Sequence, residues 1–168
     1  MRKIVIITGV LLLIAAPVMG ATEYEYVTLD YPGALKTSLV SVNDSGHIIG
    51  DYWNEYSSLP TGGFYYNGLN FIQIHYPGSD STRMIDINNS GVIIGYYELA
   101  GEQHGFIYED SNYTNFDSPS GETILIGIND SSKIIGRVSQ GYVSKAFLKV
   151  GYFYNETAFY DSGFHGIA

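Results

Sequence analysis

From Leu39 onward, apolar and polar positions alternate in short runs that are broken by turn residues. Leu39-Val40-Ser41-Val42 runs into Asn43-Asp44-Ser45-Gly46, and Ile48-Ile49-Gly50 follows at once. A period of two marks a strand with one buried face, and Asn, Asp and Gly tolerate the left-handed backbone of a tight turn. The unit is therefore expected to be a β-hairpin. It returns as Met84-Ile85-Asp86-Ile87, Asn88-Asn89-Ser90-Gly91 and Ile93-Ile94-Gly95, and again as Ile128-Asn129-Asp130-Ser131-Ser132 before Ile134-Ile135-Gly136. Ser132 stands where the other copies carry Gly, so the third turn is expected to be strained or of another type.

The copies keep register over a longer unit. Asn43 and Asn88 are 45 residues apart, and Asn88 and Asn129 are 41 apart. Pro32, Pro77 and Pro119 lie upstream of the three turns, and Phe64, Phe106 and Phe147 lie downstream. Gly50, Gly95 and Gly136 recur inside the second strand, where glycine weakens pairing unless a bulge or another backbone comes close. A third strand is expected around Phe64-Tyr65-Tyr66, Phe106-Ile107-Tyr108 and Phe147-Leu148, and a fourth over Phe71 to Tyr76 and Tyr113 to Phe116. A leading strand is expected from Tyr24 to Tyr31.

Four short antiparallel strands per repeat of this length is the arithmetic of a propeller blade. The expected fold class is all-β and β-propeller-like: three four-stranded antiparallel blades plus a partial fourth, after an N-terminal signal peptide. The repeats run over about 26–70, 71–112 and 113–151, with a partial unit at 152–168, all in one domain from 21 to 168. The ring is then incomplete, and its open strand edges would suit a second copy of the chain.

The first twenty residues read as an export signal. Arg2 and Lys3 precede an uncharged apolar run from Ile4 to Ala16, Pro17 breaks it, and Val18-Met19-Gly20 offers small residues for cleavage. The expected location is secreted or extracellular, or periplasmic, with no stable membrane span once residues 1–20 are removed. Loss of Arg2 and Lys3 with the leader takes the formal charge from −9 to −11. So acidic a surface repels phosphate backbones, which argues against nucleic acid as a partner.

Composition narrows the chemistry further. The chain has 168 residues, enough for one domain with a core. It has no Cys, which removes disulfide scaffolds, thiolate metal sites and thiol nucleophiles. His47, His75, His104 and His165 occupy different places in the repeat and lack metal-ligand spacing. No serine sits in a nucleophile elbow. Asp30 and Asp117, with His75 aligned to them, precede the prolines, whereas Asp44 and Asp130 sit in the hairpin turns. Repetition of that kind points to a repeated structural task, so no catalytic, cofactor-binding or metal-binding residue is assigned and no cofactor is expected. The ligand-contact candidates are Tyr52, Trp53, Tyr96 and Tyr97, which follow the strand glycine and have flat faces suited to a glycan or protein ligand. The alternation of ordinary strands favours a packing role instead, with Tyr52 and Tyr97 filling the space between blades and Trp53 and Tyr96 facing solvent.

These residues give the chain a resemblance to the extracellular HAF repeat family, named for a His-Ala-Phe tripeptide. Leu29-Asp30-Tyr31-Pro32-Gly33 and Gly127-Ile128-Asn129 match parts of its pattern. His104-Gly105-Phe106 comes nearest to the tripeptide, beside Gly62-Gly63-Phe64 and Lys145-Ala146-Phe147. The resemblance spans roughly Tyr24 to Gly151 and implies an exported, propeller-like β-repeat protein with no particular reaction. The function expected is thus non-catalytic binding or structural work at or outside the cell surface. The alternatives are a carbohydrate-binding or carbohydrate-active protein, and a shortened propeller that works only as an oligomer.

Overall fold

The computed structural model describes residues 25–118, 122–140 and 143–149. The expected leader, the last strand of the third unit and the partial unit at 152–168 lie outside them. Among the described residues eleven strands form and no helix. They are β1 (Lys36–Val42), β2 (Ile48–Trp53), β3 (Gly62–Tyr66), β4 (Phe71–Ile74), β5 (Ser81–Ile87), β6 (Ile93–Leu99), β7 (Glu102–Glu109), β8 (Asn112–Asn115), β9 (Glu122–Ile128), β10 (Ile134–Gln140) and β11 (Val143–Lys149). They pair in chain order into three open antiparallel sheets, β1–β4, β5–β8 and β9–β11. The all-β expectation and its hairpins hold. No helix among the described residues is long and apolar enough to cross a membrane.

The expected leading strand does not form. Residues 25–30 are described and carry no strand, and Tyr26 and Val27 are exposed. A strand needs a partner ladder for its backbone groups. The chain instead docks by one ring, with Tyr31 stacked on Tyr52 at 4.2 Å between centroids. The following Pro-Gly forms a tight turn in which Ala34 N–H donates to Tyr31 O at 3.2 Å and Gly33 takes a φ of +80°. Pro77-Gly78 repeats it. A threonine near the start of each sheet secures the segment: Thr37, Thr82 and Thr123 accept through Oγ1 from the N–H of Tyr31, Tyr76 and Ser118 at 2.9, 2.9 and 2.7 Å.

The strand glycines have a common cause. A bulge shifts the register of the first strand of each sheet, between Leu39 and Ser41, between Met84 and Asp86, and opposite Ile135 and Gly136. A Cβ at Gly50 would fall on the Ser38 carbonyl and the Phe64 ring. At Gly95 it would meet the Arg83 carbonyl and Phe106, and at Gly136 the Ile124 carbonyl and Phe147. Bulge, glycine and phenylalanine therefore form one packing unit, repeated three times.

Successive sheets pack face to face through apolar side chains. Ile49 and Ile74 of the first sheet bury against Met84, Ile87, Ile93, Tyr97 and Phe106 of the second. On the other side of the second sheet, Val92, Ile94 and Ile107 bury with Phe116, Leu125, Ile128 and Ile134. The alternation of Ile93 and Ile94 along β6 thus serves two cores. Each such side chain contributes about 1.5–3 kcal/mol on full burial.

The turn asparagines tie the sheets together. Asn43 Oδ1 accepts the N–H of Ser45 and His47 at 3.1 and 3.0 Å, while its Nδ2 crosses to Asn88 O at 3.1 Å. Asn88 repeats both tasks, holding Ser90 and Val92 N–H and donating to Asn129 O at 3.2 Å. Asn129 holds Ser131 and Lys133 N–H at 3.0 and 2.9 Å. The third turn keeps the hydrogen bonding of the other two, so it is strained and not of another type: Ser132 takes the glycine's place at a φ of +55°.

Candidate functional site

A cleft of about 590 Å3 opens at one end of the second sheet, lined by Glu102, Gln103, His104, Asp117, Ser118 and Glu122 among others. The hairpin that forms part of its wall turns at Ala100 and Gly101, both at positive φ, and Ala100 N–H donates to Asp80 Oδ2 at 3.1 Å. That conformation is the two-residue turn whose twist matches flanking antiparallel strands.

Chain pairing beyond β8 builds the cleft's centre. Phe116 N–H donates to Gly105 O at 2.8 Å, which extends the ladder from β7 and sets Asp117 opposite His104. Gly105 is required there, because a Cβ would stand 2.6 Å from the Phe116 carbonyl oxygen. Asp117 Oδ2 lies 2.7 Å from His104 Nδ1, and Oδ1 accepts from Gly105 N–H at 3.0 Å. Both side chains are about one quarter exposed, at 25% and 24%. The carboxylate favours the tautomer with hydrogen on Nδ1, which leaves Nε2 as an acceptor. His104 also stacks on Tyr97 at 5.0 Å, and Tyr97 stacks on Tyr76 at 3.7 Å and 4°. Burial, with contributions from Tyr76 and the Asp117 charge, raises the Tyr97 hydroxyl far above its ordinary pKa and keeps it neutral. The arrangement can accept a hydrogen bond at the imidazole, and can receive polar donors at three carboxylates.

The four aromatic candidates are separated by the fold. Tyr52, Trp53 and Tyr97 are buried, at 1%, 5% and 5% exposure. The Tyr52 ring is covered by Tyr31 and its hydroxyl receives Gln73 Nε2. Lys36 Nζ sits 4.0 Å over the Trp53 ring. Tyr96 is half-buried, its hydroxyl accepting from Arg83 Nη1 at 2.9 Å. Of the four, Tyr97 alone supports the cleft, from beneath His104. The His104–Asp117 pair is not singled out by the sequence, since its members are 13 residues apart. The available signal is register: with Phe106 opposite Asn115, His104 falls across from Asp117.

Among the described residues, no group of three or more His, Cys, Asp or Glu is placed to hold a metal ion. Comparison with protein-family models, with curated proteins and with solved structures gives no match to the chain.

Proposed function

We propose that the chain is an exported, non-catalytic β-repeat protein that binds or scaffolds outside the cell, its sheets arranged as successive blades of a propeller-like array akin to the HAF repeat family. One observation carries this reading. The polar side chains that recur in register are consumed by backbone: the asparagines by their own turns and the next, and the threonines by the segments before the prolines. Repeated chemistry here is architecture. Replacing Asp86, Asp117 and Glu122 one at a time, with thermal midpoints and a panel of glycoside and ester substrates as readouts, tests it. The expected result is altered midpoints and no hydrolysis. A hydrolytic activity abolished by one substitution that leaves the midpoint unchanged would overturn it. Export predicts a mature chain beginning at Ala21, read by mass spectrometry of secreted protein.

The cleft favours a second reading, carbohydrate binding. Three carboxylates, an amide and an imidazole offer the planar polar groups that pair with hydroxyls. A glycan array of wild type beside His104→Ala tests it, with loss of signal in the variant expected. Absence of binding at millimolar sugar would count against it. Trp53→Ala is a poor probe, because the buried ring would report packing.

A further inference from the structure

The outermost faces of the first and third sheets are the two halves of the junction that the chain already makes twice. Leu39 and Val42 correspond in register to Met84 and Ile87, and to Leu125 and Ile128. At the two internal junctions these positions are buried, at 2%, 5%, 1% and 9% exposure, whereas Leu39 and Val42 are 51% and 62% exposed. At the other end, Ile135 corresponds to Ile49 and Ile94, each 0% exposed, yet is itself 48% exposed.

The polar ladder stops in the same complementary way. At each internal junction the earlier sheet gives an asparagine Nδ2 and the next residue's N–H to the later sheet. Asn43 and Asp44 do so to Asn88 O and Asn89 Oδ1, and Asn88 and Asn89 to Asn129 O and Asp130 Oδ1. One further step would join the donors Asn129 Nδ2 and Asp130 N–H to Asn43 O and the Asp44 carboxylate. Both sets belong to this chain, at opposite ends.

We infer that the third sheet of one copy docks on the first sheet of a second copy, continuing the internal junction across the chain boundary. This goes beyond the open edges expected from sequence, because the contact is face to face and in register with the asparagine ladder. It rests on the repeat geometry and not on any ligand of the cleft. A head-to-tail contact of this kind closes into a ring when its rotation permits, and otherwise extends. Asp44 and Asp130 approach as like charges there, in place of the alternating pairs with Asn89 inside the chain, so association strengthens with salt.

Light scattering on the full chain tests the inference, at low and high salt and over a range of concentrations. Wild type is expected at twice the chain mass or a higher multiple. Val42→Asp blocks one face and Ile135→Asp the other, so each variant alone is expected to be monomeric with an unchanged β-sheet circular dichroism spectrum. Mixed in equal amounts, the two retain one intact pair of faces and are expected to form a one-to-one complex. A wild type that stays monomeric throughout overturns the inference, as does a mixture that fails to associate. A monomeric wild type whose thermal midpoint drops in Val42→Asp also overturns it, since the face then serves the fold of the single chain.

Discussion

Asn88 is the residue whose loss should be felt most widely. It is buried at 3% exposure, holds two backbone N–H groups in its own turn, and joins the second turn to the third. Its carbonyl receives Asn43 Nδ2, so the turn it shapes also receives the first sheet. Asn88→Ala would strand the buried Val92 N–H at a desolvation cost of about 1–3 kcal/mol, and would also remove the partner of Ser90 N–H and the bond to Asn129 O. We expect a loss of roughly 2–4 kcal/mol in urea unfolding, and under about 1 kcal/mol for Asn129→Ala, where water replaces the amide. Asp51 makes a different kind of contribution. It is 2% exposed, accepts Met84 N–H at 2.9 Å and faces Arg83 Nε at 3.4 Å. Burial lifts its carboxyl above the ordinary 3.8, against the lowering effects of Met84 N–H and Arg83. A carboxyl with a raised folded-state pKa is most favourable to folding when protonated in both states. Its contribution declines as pH rises from the unfolded value through the folded one. The stability of wild type relative to Asp51→Asn should therefore be greatest near pH 4 and shrink toward neutrality, as measured by denaturant unfolding across that range. A difference that grows with pH would contradict the assigned direction.

At the scale of the element, the unit to test is the bulge with its glycine and phenylalanine. Gly95 lies under the Phe106 ring and against the Arg83 carbonyl, so an alanine methyl must displace backbone. Gly95→Ala should cost at least about 2 kcal/mol, by overpacking a buried position of β6. Gly91→Ala, with open space around its Cβ but a φ of +83°, should cost about 1–2 kcal/mol from the left-handed backbone alone. Thermal or urea midpoints of the two variants measure the contrast. The need for a close approach at Gly50, Gly95 and Gly136 could be read from their placement inside apolar strands, and so could the Asn-x-Ser-Gly hairpins. These are local signals, set by φ and by period. The sequence did not reveal that Asn43 Nδ2 would leave its own turn for Asn88, because that contact depends on how sheets stack. Alternation did place Tyr52 and Tyr97 in the packing between sheets, but it put Trp53 in solvent, and Trp53 is 5% exposed because β2 is buried on both faces and loses the alternation that marks exposure. The His104–Asp117 pair was hidden for a related reason: it exists only once β7 and β8 have chosen a register.

At the scale of the whole molecule, the described residues form a row of three sheets in which only the middle one has a neighbouring sheet on both faces. Stability in such a row is a sum of unit and neighbour terms, so the ends should open before the centre. Asp86 strengthens the central position: Oδ1 accepts from Ser41 Oγ at 2.8 Å in the first sheet, and Oδ2 from Ile128 N–H at 3.0 Å in the third. Native-state hydrogen exchange should accordingly show the slowest amides in β6, where Ile93 and Ile94 are 1% and 0% exposed. Faster exchange is expected in β1 and β10. Asp86→Ala should widen that gap, because it uncouples both outer sheets while leaving the cores of the middle one in place. Equal protection across all three sheets in a protein shown to be monomeric would contradict the row, since cooperative opening would then be global. Equal protection that disappears on dilution has another cause: the outer faces are covered by a second copy, and the exposed Val42 and Ile135 are interior positions of a longer stack.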